Sequence, residues 1–317
     1  MMWSVLCGLA STVFAAQDGE VELRIVHTND THSCVMPVNP NSSDTALADK
    51  GGFVRRAALV RDLRAEDPDL LLFDSGDFSQ GSAYYNLYKG DVEVKLMNEM
   101  RYDAVTIGNH EFDFGLDNMA RIFREATFPI VCANYHFEGT VLEGLVRPYV
   151  ILERKGVKVG VFGLGTQLEG MVASENYKGV TYEDPVTAAN RVADELKNKE
   201  HCDLVVCLSH LGWDIDGLDD TELVPATRHI DIVLGGHSHT YFEHPEVLKD
   251  ADGEDVYCNQ MGKHGRYVGM LLLEMSPTGD RPLFEIESQY NHFRRCPVQR
   301  IGEFPQRIVY QIVAVFL

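Results

Sequence analysis

Five short polar clusters in this sequence carry side chains able to do chemistry. They are "NDTH" with Asp30 and His32, "GDFSQGS" with Asp77, "GNHEFD" with Asn109, His110 and Asp113, "SHLGW" with His210, and "GGHSHT" with His237 and His239. Each follows directly on an apolar run. Taken singly, each has a structural explanation, since a lone His commonly satisfies a hydrogen bond and an Asp after Gly makes turns or caps. Five in succession describe a site. Seven of these residues, Asp30, His32, Asp77, Asn109, His210, His237 and His239, are oxygen or imidazole donors without a thiolate among them. Such donors suit zinc, manganese, cobalt, iron or magnesium acting as Lewis acids rather than a structural zinc. Seven donors exceed what one tetrahedral ion takes, so two divalent metal ions are expected, with Asp77, on the central member of the set, as the bridge. Two ions ~3.5–4 Å apart would hold a hydroxide as nucleophile and clamp a phosphoryl oxygen, leaving no need for a nucleophilic Ser or Cys.

The elements that must present these clusters are short runs rich in Val, Ile, Leu and Phe. "ELRIVHT" (22–28), "DLLLFDS" (69–75), "DAVTIG" (103–108), "DLVVCLS" (203–209) and "IDIVLGG" (230–236) read as buried strands. Further strands are expected at 157–165, 267–275 and 283–288, without polar clusters at their ends. Helical periodicity places Phe53, Ala57, Val60 and Leu63 on one face, with Arg56, Arg61 and Asp62 on the other. Leu116, Met119, Phe123 and Ala126 repeat that pattern, and Pro185 opens a helix over 185–198. Alternating strand and helix implies an α/β architecture, whose ligands gather at the carboxyl ends of the strands. All five clusters are accordingly expected along one sheet edge.

The 317 residues suffice for one large domain or two small ones, and Lys plus Arg of 28 against Asp plus Glu of 48 gives a net charge of −20. That balance disfavours nucleic acid polymers and anionic membranes as partners, but not small phosphorylated substrates, because local metal charge outweighs a distant field. Residues 1–16, "MMWSVLCGLASTVFAA", are uncharged and end in a small-x-small pattern, which reads as a signal peptide and export to the periplasm or beyond. A buried N-terminal strand is the alternative; a transmembrane span is not, because the run is too short. After such cleavage Cys34, Cys132, Cys202, Cys207, Cys258 and Cys296 remain, as free thiols or in pairs that spacing does not reveal.

Asp30-Thr-His32, Gly76-Asp77, Gly108-Asn109-His110-Glu111, His210 and Gly236-His237-Ser-His239 together resemble the calcineurin-like metallophosphoesterase superfamily. "HTNDTH" and "GNHEFDFG" resemble its bacterial 5′-nucleotidase and UDP-sugar hydrolase family, in motif order across about residues 22 to 290. The resemblance implies a double β-sheet sandwich flanked by helices, in four αββα layers. It implies that Asp30, His32, Asp77 and His239 hold one metal, and Asp77, Asn109, His210 and His237 the other. It further implies that His110 and Asp113 form a catalytic dyad, with Asp113 orienting the imidazole and favouring its protonated form. Glu111 is then a supporting residue, and His27 a structural one.

The expected domains are a signal peptide at 1–16, a catalytic domain at 17–292, and a tail or truncated linker at 293–317 whose apolar end could also be an edge strand or dock on a partner. Two departures from the family stand out. His239 occupies a position where these nucleotidases often have Gln or Asn. The family's C-terminal recognition domain has no counterpart before Leu317, so a separate recognition domain or subunit enters as a possible partner. The expected function is hydrolysis of phosphate monoesters, nucleoside 5′-monophosphates foremost. Cyclic nucleotides, UDP-sugars and non-nucleotide esters are the alternative substrates, and a noncatalytic binding module is the alternative class.

Overall fold

The structure, a computed structural model, describes residues 21–43, 45, 48–275 and the backbone of 308–310. The export segment read at 1–16, the strand expected at 283–288 and Cys296 lie outside the described residues. The chain first lays down β1 (Val21–Thr28), α1 (Phe53–Glu66), β2 (Leu71–Asp74), α2 (Ala83–Tyr88), α3 (Asp91–Met100), β3 (Ala104–Val105) and α4 (Gly115–Glu125). Next come β4 (Ile130–Val131), β5 (Tyr135–His136), β6 (Val146–Arg147), β7 (Tyr149–Arg154), β8 (Val157–Gly165), β9 (Thr181–Tyr182) and α5 (Pro185–Asp194). Then follow β10 (Leu204–His210), α6 (Asp220–Leu223), β11 (Ile232–Leu234), β12 (Glu246–Lys249), β13 (Asp255–Asn259), β14 (Gly269–Met275) and β15 (Ile308–Tyr310).

The strands form a seven-stranded sheet in the order β15-β14-β1-β2-β3-β4-β6 and a six-stranded sheet in the order β12-β13-β11-β10-β8-β7, beside a small β5-β9 pair. The single shared sheet edge expected for the five site-bearing strands is therefore corrected to two. β1, β2 and β3 belong to the first sheet, β10 and β11 to the second. The reason is that β1 from Ile25 onward and all of β2, β3, β10 and β11 are buried on both faces, which lets two sheets stack and lets helices cover both outer surfaces. Leu23, Ile25, Leu71 and Phe73 of the first sheet meet Val159, Val161, Leu204, Val206 and Leu208 of the second. Their neighbours point outward: Val26 and Leu72 pack with Val60, Met97 and Met119 of the helices. Phe162, Val205, Cys207 and Val233 pack with Ala188 and Val192 of α5. The result is four αββα layers, and each fully buried Val, Leu, Ile or Phe contributes about 1.5–3 kcal/mol.

The two sheets close toward the site. A Cβ on Gly163 of β8 would stand 2.1 Å from the Val131 carbonyl oxygen and 2.2 Å from Thr106 Oγ1. Gly163→Ala should therefore destabilise the fold by ~1–3 kcal/mol, the usual effect of overpacking. An unmoved urea midpoint would show that the sheets separate freely here.

Arg56 corrects the sequence reading. Expected on the polar face of α1, it is 1% exposed. Its guanidinium lies 3.9 Å over the Phe53 ring and packs against Gly265, because the β13–β14 connection covers that face of the helix. Cys34, Cys132, Cys202, Cys207 and Cys258 are all free thiols. Among the described residues no helix is long and apolar enough to cross a membrane. The backbone of Ile308–Tyr310 adds to β14 as an antiparallel edge strand.

Candidate metal centre

The loops leaving β1 and β2 are stitched together by their backbones. Ser75 N donates to Thr28 O at 2.9 Å, Asp30 N to Gly76 O at 2.9 Å and His32 N to Asp77 O at 3.0 Å. Ser75 Oγ reaches across to the second sheet and donates to Leu234 O at 2.7 Å. Five of the seven expected ligands have left-handed backbone: Asp30 (φ 46°), His32 (φ 42°), Asp77 (φ 55°), His237 (φ 71°) and His239 (φ 59°). This conformation costs a residue with a Cβ roughly 1–2 kcal/mol, and such strain concentrates at functional sites. Gly108 serves the same end. A Cβ there would lie 2.1 Å from Asp77 Oδ1, so only glycine lets the third loop close on that carboxylate.

Around this frame the donors converge in three groups, each within 4.8 Å: Asp30, His32 and His239; His32, Asp77 and His110; Asp77, His210 and His237. His32 Nε2 lies 2.9 Å from His239 Nε2, and Asp30 Oδ1 is 3.4 Å from the latter. Asp77 Oδ2 lies 3.2 Å from His210 Nε2, and its Oδ1 accepts from His110 N at 2.9 Å. His237 N donates to Asp30 Oδ2 at 3.0 Å, so the two sheets share one polar centre.

The donors fit divalent ions. Asn109 Oδ1 is buried without a hydrogen-bond partner, a situation that costs ~1–3 kcal/mol for an acceptor unless a cation satisfies it. His210 Nδ1 stands 2.6 Å from Ser75 O, which fixes its N–H on that side and turns Nε2 toward Asp77. His32 Nδ1 has a longer approach of 3.4 Å to Ser79 O. Burial pushes His32 down to about 3 and His237 and His239 to about 4, so these imidazoles are neutral and able to ligate. Burial also pushes Asp30 up to about 8, with Asp77 adding repulsion against the opposing pull of His210. Asp77 is the reverse case: burial pushes it upward too, but the attraction of His210 outweighs that and holds the carboxyl below its usual range. Burial would lower His210, yet the Asp77 carboxylate overcomes it and raises the imidazole to about 10. A cation held by Asp77 would take the place of that proton, so metal uptake would release protons.

His110 lies on a 3₁₀ turn, Asn109–Phe112, which brings Asp113 under its ring. Nδ1 is 3.1 Å from Asp113 Oδ2 and 3.2 Å from Oδ1. Burial lowers the imidazole, but the Asp113 hydrogen bond and the carboxylates of Asp77, Asp113 and Glu111 outweigh it, and the net direction is upward. Glu111 accepts from Asp77 N at 3.0 Å, Ser79 N at 3.1 Å and Gly108 N at 2.7 Å, so it ties the second loop to the third. His27 is buried between the sheets and both its ring nitrogens lack a partner.

Sequence reasoning missed His264. Its backbone N donates to Asp30 O at 2.7 Å, and its ring lies 5.9 Å from that of His32. The signal that could have found it was "DVYCN", whose parallel strand β13 ends at the same edge of the second sheet as β11.

The Calcineurin-like phosphoesterase family model matches residues 23–241. The 5′-nucleotidase of Homo sapiens is 32% identical over 296 residues, 87% of this chain and 50% of that protein. Snake venom 5′-nucleotidase of Crotalus adamanteus is 33% identical over 280 residues, 83% of this chain and 47% of that protein. The chain spans about half the length of the curated relatives it matches. Among solved structures, a 5′-nucleotidase precursor from Thermus thermophilus superposes with a TM-score of 0.73 at 33% identity, covering 82% of this chain and 52% of that one. Haemophilus influenzae NAD nucleotidase gives a TM-score of 0.71 at 27% identity, with 82% and 48% covered.

Proposed function

The chain belongs to the calcineurin-like phosphoesterase family, and from that premise we propose that it is a dinuclear metal-dependent phosphatase acting on phosphate monoesters, with nucleoside 5′-monophosphates as the favoured substrates. The observation that carries this reading is the convergence of Asp30, His32, Asp77, His110, His210, His237 and His239 into three adjoining donor groups, the first two joined by His32 and the last two by Asp77. Asp30, His32, Asp77 and His239 would hold one ion, and Asp77, Asn109, His210 and His237 the other. When bound, the ions supply Lewis acidity toward the phosphoryl oxygens and a water made acidic enough to attack phosphorus near neutral pH.

The ligand set contains only two carboxylates, because Asn109 contributes a neutral oxygen. The site thus stays positive toward an incoming phosphate despite the acidic chain. His110 lies outside the two proposed ligand sets and is about one-third exposed. Its protonated ring would donate to the phosphoryl group or the leaving oxygen, with Asp113 fixing the tautomer and ring orientation. Nucleotides are favoured because three of the four relatives named above are 5′-nucleotidases, one of them a precursor, and the fourth is an NAD nucleotidase. With residues 1–16 read as an export signal, the reaction would take place outside the cytoplasm.

The test is phosphate release from a panel of nucleoside monophosphates, cyclic nucleotides, a UDP-sugar, NAD and simple aryl phosphates. Chelation should abolish release, and manganese, cobalt or zinc should restore it, with close to two ions per chain at full loading. Activity that survives exhaustive chelation would overturn the metal reading. Release from diesters in preference to all monoesters would overturn the substrate class.

A further inference from the structure

The loop joining β13 to β14 has no role in the ligand sets proposed above, yet it is built with as much constraint as the loops that supply them. Gly262 (φ 64°), His264 (φ 64°) and Gly265 (φ 57°) are all left-handed, and histidine adopts that backbone only at a cost. The loop is pinned to the centre from several sides. Asn29 Nδ2 donates to Gly262 O at 2.8 Å, Met261 N to Asn29 Oδ1 at 2.8 Å and His264 N to Asp30 O at 2.7 Å. Gly265 lies directly on the buried Arg56, where a Cβ would stand 2.3 Å from Nη1. What this frame displays is the His264 ring, at 71° to that of His32. The His32 ring is also flanked by His110 at 5.4 Å and His239 at 5.0 Å.

His264 is not one of the donors that converge within 4.8 Å, so its geometry is not that of a ligand. Neither its ring nitrogens nor Lys263 Nζ has a hydrogen-bond or ion-pair partner among the described residues. Lys263 precedes His264 directly on this pinned loop, so both side chains leave the same constrained backbone.

We propose that Lys263 and His264 form a phosphate-binding arm that grips the non-bridging oxygens of a monoester and selects monoesters over diesters. This rests on the phosphatase reading above. A monoester dianion offers an ammonium and an imidazole N–H more charge than a diester monoanion does, and charge-assisted hydrogen bonds are the stronger ones. The rigid loop holds the imidazole beside His32 before substrate arrives, so little ordering is needed on binding.

The experiment uses the full, metal-loaded chain with Lys263→Ala, Lys263→Arg, His264→Asn and His264→Phe. Asn tolerates left-handed backbone, and Phe keeps the ring without its nitrogens. The readouts are metal content, KM and kcat for p-nitrophenyl phosphate and for bis(p-nitrophenyl) phosphate, and the inhibition constant of inorganic phosphate. Lys263→Ala and His264→Phe should each raise the monoester KM and the phosphate inhibition constant by about tenfold. Both should lower the monoester-to-diester ratio of kcat/KM, with two ions retained, and Lys263→Arg should restore most of the loss. A phosphate inhibition constant and an ester ratio that do not move, in variants that still release phosphate, would overturn the arm and leave the phosphatase reading standing. Metal loss in His264→Asn would also overturn it, because the residue would then support the centre. No release from either ester by the unaltered chain would overturn both readings.

Discussion

Asp77→Asn should strip the protein of both ions together and lower phosphate release by on the order of 10³-fold or more, since Lewis-acid stabilisation is worth several kcal/mol and each 1.4 kcal/mol is a factor of ten. The reason is geometric. Asp77 belongs to two of the three donor groups, and its two oxygens face different partners, Oδ1 toward His110 N and Oδ2 toward His210 Nε2. Asparagine keeps the volume and one acceptor oxygen but removes the charge that would bind two dications at once. It also relieves the attraction that raises His210, so the imidazole loses its buried counter-charge. Metal content per chain, measured across a manganese titration and alongside phosphate release, checks the expectation. A variant that retains one tightly held ion would show that Asp77 serves a single site and that the bridging role is wrong.

His110→Ala should behave in the opposite way, keeping its metal while turnover falls by about 10²–10⁴-fold, the range for a positioned acid or base. Its link to the proposed ligands runs through the backbone, His110 N to Asp77 Oδ1 at 2.9 Å, which alanine preserves. Asp113→Asn should have a smaller effect and a distinct pH signature. Against the downward push of burial, the Asp113 hydrogen bond helps to raise His110 above the usual imidazole range. A reaction needing the protonated ring is therefore sustained below that raised pKa and lost as pH rises through it. Removing the carboxylate should shift this descending limb to lower pH. A limb that stays in place, or loss of metal from His110→Ala, would sink the assignment of the pair.

Much of this site is legible in the sequence, because the information is local. An apolar run long enough to be a buried strand, followed at once by Asp, Asn or His, states both the element and the residue at its carboxyl end. Parallel sheets gather such ends in one place. That logic brought Asp30, Asp77, Asn109 and the histidines of "SHLGW" and "GGHSHT" into one group, and the folded chain gathers their loops around one centre. It also reached Asp113, because a turn beginning at Asn109 returns the chain after three residues.

The misreadings share a cause. Strands buried on both faces carry no alternation, so nothing local says which sheet each joins; only pairing shows that β1, β2 and β3 lie apart from β10 and β11. Helical periodicity assigned Arg56 to solvent, because whether a distant loop will bury a guanidinium is not written in its neighbours. His264 escaped notice because it follows "DVYCN", a strand whose Tyr, Cys and Asn do not read as an apolar run. The sequence by itself thus named the expected donors and the α/β rhythm that delivers them, through side-chain chemistry and strand-end position. The tertiary structure alone decided the pairing of two sheets, the left-handed backbone that five expected ligands adopt and the arrival of His264 beside His32. These depend on contacts between segments far apart in the chain, where packing and long-range hydrogen bonds override local propensity.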